Sequence, residues 1–235
     1  AVIMARGGYG TTRIMDRLDF MALINHPKWI VGFSDITALH AHLQQLGLAS
    51  IHGPMPGFYH LAKAQASTES LRRLLCGSLD DFHIPPHDLN RPGLADGKVV
   101  GGNLAIISHL IGTRSAFDTE GKILLLEDVG EYLYNIDRMM VQLRRSGLLA
   151  NMAGLVVGHF NELKDTKIPF GKDVLEIISE HVSDYDYPVA FGLPVGHTEE
   201  NFPFVEGAYA ELRVEERVCS LRFAKEQILQ GDPQV

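Results

Sequence analysis

Cysteine is scarce in this chain: two residues in 235, Cys76 and Cys219. They lie far apart and in no metal-like spacing. This excludes a disulfide-stapled scaffold, makes a reducing compartment the default, and leaves both thiols expected to be buried or idle. Long apolar runs are also missing, since none approaches the ~20 residues needed to cross a bilayer, so no membrane insertion is expected. There is no basic stripe, and the formal net charge is -8, which argues against nucleic acid as a partner. No signal peptide is expected, and there is no internal repeat or low-complexity segment. What remains is 46% apolar and 21% charged, an ordinary globular composition with enough chain for one large domain or two small ones.

Short apolar runs alternate with helical patterns, which predicts a parallel α/β architecture. "AVIMA" (Ala1 to Ala5) reads as a strand apolar on both faces, hence one with sheet neighbours on each side. From that opening we expect strand and helix elements upstream of this chain. A helix is expected over Thr12 to Asn25, then the strand "WIVGF". Ile36, Leu39, Leu43 and Leu46 share one face of the helix that follows, and Gly47 stops it. "ASIHGPM" is a third strand, with a helix near Ala62 to Leu75. Between Cys76 and Lys98 the pattern dissolves into Pro, Gly and Asp, which suggests a linker. The expected division is therefore 1–78, a linker over 79–98, and 99–235. In the second part "GGNLAIISHLIGT" is a glycine turn entering a helix, "KILLLE" and "AGLVVGHF" are buried strands, and "YPVAFGLPVGH" holds a short strand. "IDRMMVQLRRSGLL" and "GKDVLEIISEHV" are helices. "AYAELRVEERVCSLRF" alternates by two about a charged turn and reads as a hairpin.

Ser34, in "GFSDIT", follows a strand and precedes a helix. Two readings stay open there. A serine at that joint is a standard N-cap, as is Asp35, which also suits the positive end of the helix dipole. A strand-turn-helix joint can equally expose a nucleophile, with the next residue's N–H facing an oxyanion. The second glycine of a G-x-S-x-G elbow is absent, however; Ile36 stands there. A nucleophilic serine needs a base and an acid to orient it. Among eleven histidines, His26, His40, His42, His60, His83, His87, His109 and His181 read as surface or packing residues. His159 and His197 lie just past apolar strands, where α/β sites gather, and "LPVGHTEEN" gives His197 the richer setting, with Gly196 and Asn201 beside it. Glu127 and Asp128 close the apolar strand "KILLL", where a carboxylate is costly unless exposed or paired. Asp137 reads as a helix-surface partner of Arg138 or of a neighbouring base. Gly7, Gly8 and Gly10 form either a turn needing positive φ or a backbone cradle for an anion. They do not make a dinucleotide fingerprint. No cofactor is expected, and no His, Cys and carboxylate grouping has metal spacing.

Taken in order, "ARGGYGTTR", "GFSDITALH", "GGNLAIISHLIGT", "LLLEDVGEYLYNIDRMM" and "GHTEEN" resemble the motifs of the LD-carboxypeptidase family of serine peptidases. That family includes murein tetrapeptide carboxypeptidases and microcin C immunity hydrolases. The likeness runs from the first residue to about Gly207. It implies two α/β domains: an N-terminal one, a mostly parallel sheet with flanking helices, and a C-terminal one ending in a hairpin. It also implies a Ser34–Glu127–His197 triad, with oxyanion donors from the N–H of Asp35 and of Gly7 or Gly8. Substrate contacts would come from Arg6, Gly102 and Asn103, with Arg6 or Arg138 as the cation for a terminal carboxylate. The sub-branch implied is cytoplasmic peptidoglycan recycling, with a homodimer that cleaves a muropeptide between an L-centre of a diamino acid and a terminal D-alanine. The alternatives are a microcin-type hydrolase with the same triad, or a silent muropeptide-binding relative. The sequence departs from the family at "FPFVEG", where a Leu-Pro-Leu-Gly-like run is usual. It also lacks the strand and helix elements that relatives carry before "ARGGYG".

Overall fold

The chain builds two sheets, and the order in which it visits them explains how distant polar residues meet. The computed structural model describes residues 1–224; the final part of the expected second domain, 225–235, lies outside the described residues. The first part runs β1 (Val2–Ile3), α1 (Thr11–Met15), α2 (Met21–Asn25), β2 (Ile30–Gly32), a 3₁₀ turn (Ser34–Ile36), α3 (Thr37–Gln45), β3 (Ser50–His52) and α4 (Gln65–Leu75). Then come β4 (Phe82–Ile84), β5 (Gly93–Asn103), α5 (Leu104–Leu110), β6 (Ile123–Val129), α6 (Leu133–Arg145), β7 (Gly154–Asn161), α7 (Val174–His181) and β8 (Val189–Phe191). β9 (Phe204–Glu206), β10 (Tyr209–Val214) and β11 (Cys219–Phe223) close the described chain.

The smaller sheet has the order β1-β2-β3-β9; the larger is β4-β11-β10-β5-β6-β7-β8. β1, β2 and β3 are parallel, as are β5 to β8, and the β10–β11 hairpin joins antiparallel. This is the mixed α/β architecture with a terminal hairpin that the pattern predicted.

β6 shows how the sheet positions chemistry. Ile123 to Leu126 are fully buried because both faces of the larger sheet are covered. Leu124 and Leu126 pack in the core shared with α5, α6 and α7; Ile123 and Leu125 pack in the core shared with β9 and the hairpin. The alternation then carries two acids: Glu127 continues the second face and Asp128 the first, with a register shift between Leu126 and Asp128.

Several expectations need correction. The first strand, expected over Ala1 to Ala5, is shorter (Val2–Ile3); among the described residues it pairs with β2 at the edge of the smaller sheet, where Val2 and Ile3 are 48% and 38% exposed. The helix expected over Thr12 to Asn25 is two short helices broken at Asp16 to Phe20. Part of the expected linker is sheet: β4 falls in it, and Gly93 to Lys98 form the first half of β5, paired with β10. The supposed glycine turn at Gly101 and Gly102 is the end of β5, with both residues at positive φ. β9 was not foreseen, and it returns the chain to the smaller sheet against β3. Of the two thiols expected to be buried or idle, Cys219 is buried and Cys76 is exposed and free.

Candidate active site

Ser34 follows β2 with its backbone at φ 67, a left-handed conformation rare for a residue with a Cβ. Such a turn lifts the side chain out of the joint, and close packing on both sides makes room for it. A Cβ on Gly32 would stand 3.0 Å from Ile36 side-chain carbons. One on Gly7 would stand 2.8 Å from Ser34 Cβ and 3.1 Å from its Oγ. Glycine in the β1–α1 loop thus supplies the space that an elbow's second glycine gives, and Ile36 is accommodated by Gly32. The loop's position is fixed by Asp35, whose Oδ2 accepts from Thr11 N (2.9 Å) and Thr11 Oγ1 (2.7 Å). Asp35 therefore does not cap the helix after Ser34 with its side chain, as expected; it holds the start of α1. Gly8, at φ 96, lies under the guanidinium of exposed Arg6.

His197 links the two sheets. Its Nε2 lies 2.9 Å from Ser34 Oγ and its Nδ1 2.7 Å from Glu127 Oε2. Glu127 is fully buried, so its cost at the strand end is offset by this pair and not by exposure. Gly196, at φ 122, lets the loop settle on Glu127: a Cβ there would be 2.9 Å from Oε2. Asn201 Oδ1 accepts from Gly196 N, Asn161 Nδ2 donates to the His197 carbonyl, and Phe33 meets the imidazole edge-on at 4.9 Å. Burial by itself would lower the His197 pKa; the hydrogen bond and charge of Glu127, with the charges of Asp128 and Glu162, outweigh it and raise it.

Asp128 is buried behind this pair. It accepts from Asn103 Nδ2 (2.8 Å), Ala105 N (2.9 Å) and Val129 N (2.8 Å). Burial and the neighbouring Glu127 push its pKa up to about 7, against the pull of those hydrogen bonds. Gly102 and Asn103 tie the serine's helix to the larger sheet. A Cβ on Gly102 would sit 2.7 Å from Thr37 Oγ1, and Asn103 N donates to the same oxygen at 3.2 Å. Asn103 is also directly opposite Glu127 in the β5–β6 register, so one residue couples the helix after Ser34 to the strand of Glu127. Its amide is spent on Asp128 and on capping α5 through Ile106 N.

The structure thus brings Ser34, Asp35, Gly7, His197 and Glu127 together, with Asn103 and Gly102 behind them and Arg6 exposed at the loop. His159 bonds neither Ser34 nor Glu127; its backbone N–H donates to Val195 O and burial lowers its pKa. Arg138 is exposed on α6 and lies over the Tyr134 ring at 5.3 Å. Of the two partners open to Asp137, Arg138 or a neighbouring base, it takes the base: it accepts from His181 Nε2. His40 and His42 are core residues: the His40 ring lies 2.8 Å from Ser50 Oγ and 2.9 Å from Gly32 O, and the His42 ring 3.0 Å from Ser115 Oγ. His52, which sequence reasoning passed over, is fully buried and stacked on Phe204 at 4.8 Å. No cluster of three or more His, Cys, Asp or Glu side chains among the described residues could hold a metal, and no helix among them is long and apolar enough to cross a membrane.

An unbroken serine–histidine–acid series on a strained strand-to-helix joint is the arrangement found in serine hydrolases. The chain belongs to the LD-carboxypeptidase family: the family's N-terminal domain matches residues 1–53 and its C-terminal domain residues 96–212. It is 33% identical over 224 residues to the probable murein peptide carboxypeptidase of Bacillus subtilis, covering 93% of this chain and 70% of that protein. To the murein tetrapeptide carboxypeptidase of Pseudomonas aeruginosa it is 30% identical over 224 residues, covering 90% and 72%. Its fold is similar to the crystal structure of muramoyltetrapeptide carboxypeptidase from Oxalobacter formigenes (TM-score 0.85, 33% identity, 94% of this chain and 76% of that one). It also shares the fold of the microcin immunity protein MccF bound to glutamyl sulfamoyl guanosine (TM-score 0.81, 20% identity, 94% and 75%).

Proposed function

We propose that the protein is a serine-type LD-carboxypeptidase that removes the terminal D-alanine from muropeptide tetrapeptides. The observation that carries this reading is the hydrogen-bonded series Ser34 Oγ–His197–Glu127, unbroken across the two sheets. Ser34 Oγ attacks the carbonyl of the diamino acid's L-centre while His197 Nε2 takes its proton. Glu127 holds the Nδ1–H and stabilises the imidazolium. Charge on the tetrahedral oxygen is met by the backbone N–H of Asp35 and of Gly7 or Gly8. The imidazolium returns its proton to the leaving amine, and D-alanine departs. A water, deprotonated by the same imidazole, then frees the shortened peptide and restores the Ser34 hydroxyl. Arg6, exposed beside the loop, is the cation for the substrate's terminal carboxylate.

Named relatives at 30% identity and above support the murein reading, whereas the likeness to MccF, at 20% identity, is one of fold. The test is release of D-alanine from a disaccharide tetrapeptide. Ser34→Ala should lower kcat by at least ~10⁴-fold, as loss of a nucleophile does. Equal release by wild type and variant would remove Ser34 from its role. No release by wild type, with the ligand still bound, would mark a silent binder, and turnover of an aminoacyl sulfamoyl adenylate instead would favour the immunity branch.

A further inference from the structure

A second concave site lies away from Ser34, His197 and Glu127, between α1 and the loop that follows α5. Its volume is about 460 Å³, within the ~300–1,000 Å³ range of small-molecule sites. The chain carries a formal charge of -8, yet this cavity gathers Arg13 from α1, Arg114 from the loop and His109 from the last turn of α5 against one acid, Asp16. Asp16 is engaged with Arg114 Nε at 3.2 Å. Neither Arg13 nor His109 makes an ion pair among the described residues. Thr12 and exposed Tyr9 also line it, while buried Met15 and Leu110 give it an apolar side.

We propose that this cavity binds a small organic oxyanion, a phosphate ester or a polycarboxylate, with its charged oxygens on Arg13 and Arg114 and its carbon part against Met15 and Leu110. Two planar guanidinium groups arriving from separate elements suit an anion that presents several oxygens, because each can donate two parallel N–H bonds. A ligand that merely neutralised a surface would not need the apolar side. The site is distinct from the hydrolytic one, but its wall is joined to it. Thr12 follows Thr11, which bonds Asp35, and Ser115 Oγ contacts His42 on the helix that follows Ser34.

The experiment is calorimetric titration of the 235-residue chain with inorganic phosphate and, separately, with citrate, at constant ionic strength held with sodium chloride. Saturable binding to one or both probes is expected, and which probe binds tells phosphate from polycarboxylate recognition. Arg13→Gln/Arg114→Gln should weaken that binding at least ~10-fold, the effect of losing charge-assisted hydrogen bonds. Arg13→Glu, a single change at an exposed position, should do the same while leaving the melting temperature within a few degrees of wild type. Phosphate can also be followed by ³¹P line broadening, independent of heat. No saturable signal with either probe, or equal affinity in the charge-altered variants, would overturn the proposal.

Discussion

Gly7 and Asp128 show how residues outside the triad complete it. The elbow around Ser34 has one glycine too few when read as a local pattern, because its missing space is provided by a glycine on another loop. Asp128 acts electrostatically. Its carboxyl pKa is pushed up to about 7, and as it ionises its negative charge is one of those that raise the His197 pKa, so removing it should lower that pKa. In the proposed mechanism His197 must be neutral to accept the serine proton, so activity rises as pH climbs through that value. Asp128→Asn should therefore move the acid limb of the kcat/KM profile to lower pH. A limb that stays in place would show that Asp128 is protonated over that range or its charge is screened from the imidazole. Because Glu127, Asp128 and His197 interact closely, the limb reports a shared titration and not one residue alone.

At the level of elements, the site forms where strand ends and their loops converge. β2 delivers Ser34, β6 delivers Glu127, and the loop after β8 delivers His197. The β1–α1 loop is held against Ser34 by Thr11, whose hydroxyl donates to Asp35. Thr11→Val keeps the shape and the backbone bond but removes that hydroxyl. A hydrogen bond to a charged group contributes about 1.5–3 kcal/mol, so the melting temperature should fall by roughly 4–8 °C. D-alanine release should fall with it, because the loop carries an oxyanion donor. Full activity with an unchanged melting temperature would mean the backbone bond alone fixes the loop. These elements were legible in uneven measure. β6 and β7 announce themselves as apolar runs, and a carboxylate or imidazole at the end of such a run is conspicuous because burial makes it costly. β9 and the first half of β5 gave no such signal, since their pairing is with distant strands and "GLADGK" looks like a turn. Thr11, Asn161 and His52 were equally hidden, because only the folded chain supplies their partners.

Across the whole molecule, the two sheets are joined by β9 and by one buried acid upon it. Glu206 accepts from Gln44 Nε2 on α3 (2.6 Å) and from the backbone of Gly101 on β5. Burial pushes its pKa well above the ordinary 4.5 despite those hydrogen bonds. The folded state therefore keeps a proton that the unfolded chain loses. The resulting stability is fully present below about pH 4.5 and is lost as pH rises toward and through the folded value. Glu206→Gln should abolish this component, so its urea midpoint should decline less than that of wild type from pH 5 upward. Parallel declines would show that Glu206 does not titrate with folding. His40 works in the opposite direction: burial lowers its pKa to about 4, which favours the fold as pH rises from there to about 6.5. The left-handed backbone at Ser34 bears on the fold as a whole too. A Cβ in that conformation costs roughly 1–2 kcal/mol, which glycine avoids at some cost in unfolded-chain entropy. Ser34→Gly should consequently melt higher than Ser34→Ala, by about 1 kcal/mol, although neither retains a nucleophile; the reverse order would show that the turn is relaxed. Stability and chemistry are then in direct competition at one position. In any lineage released from the need for the reaction, selection on folding alone would favour glycine there, and serine would persist only where turnover is still being selected.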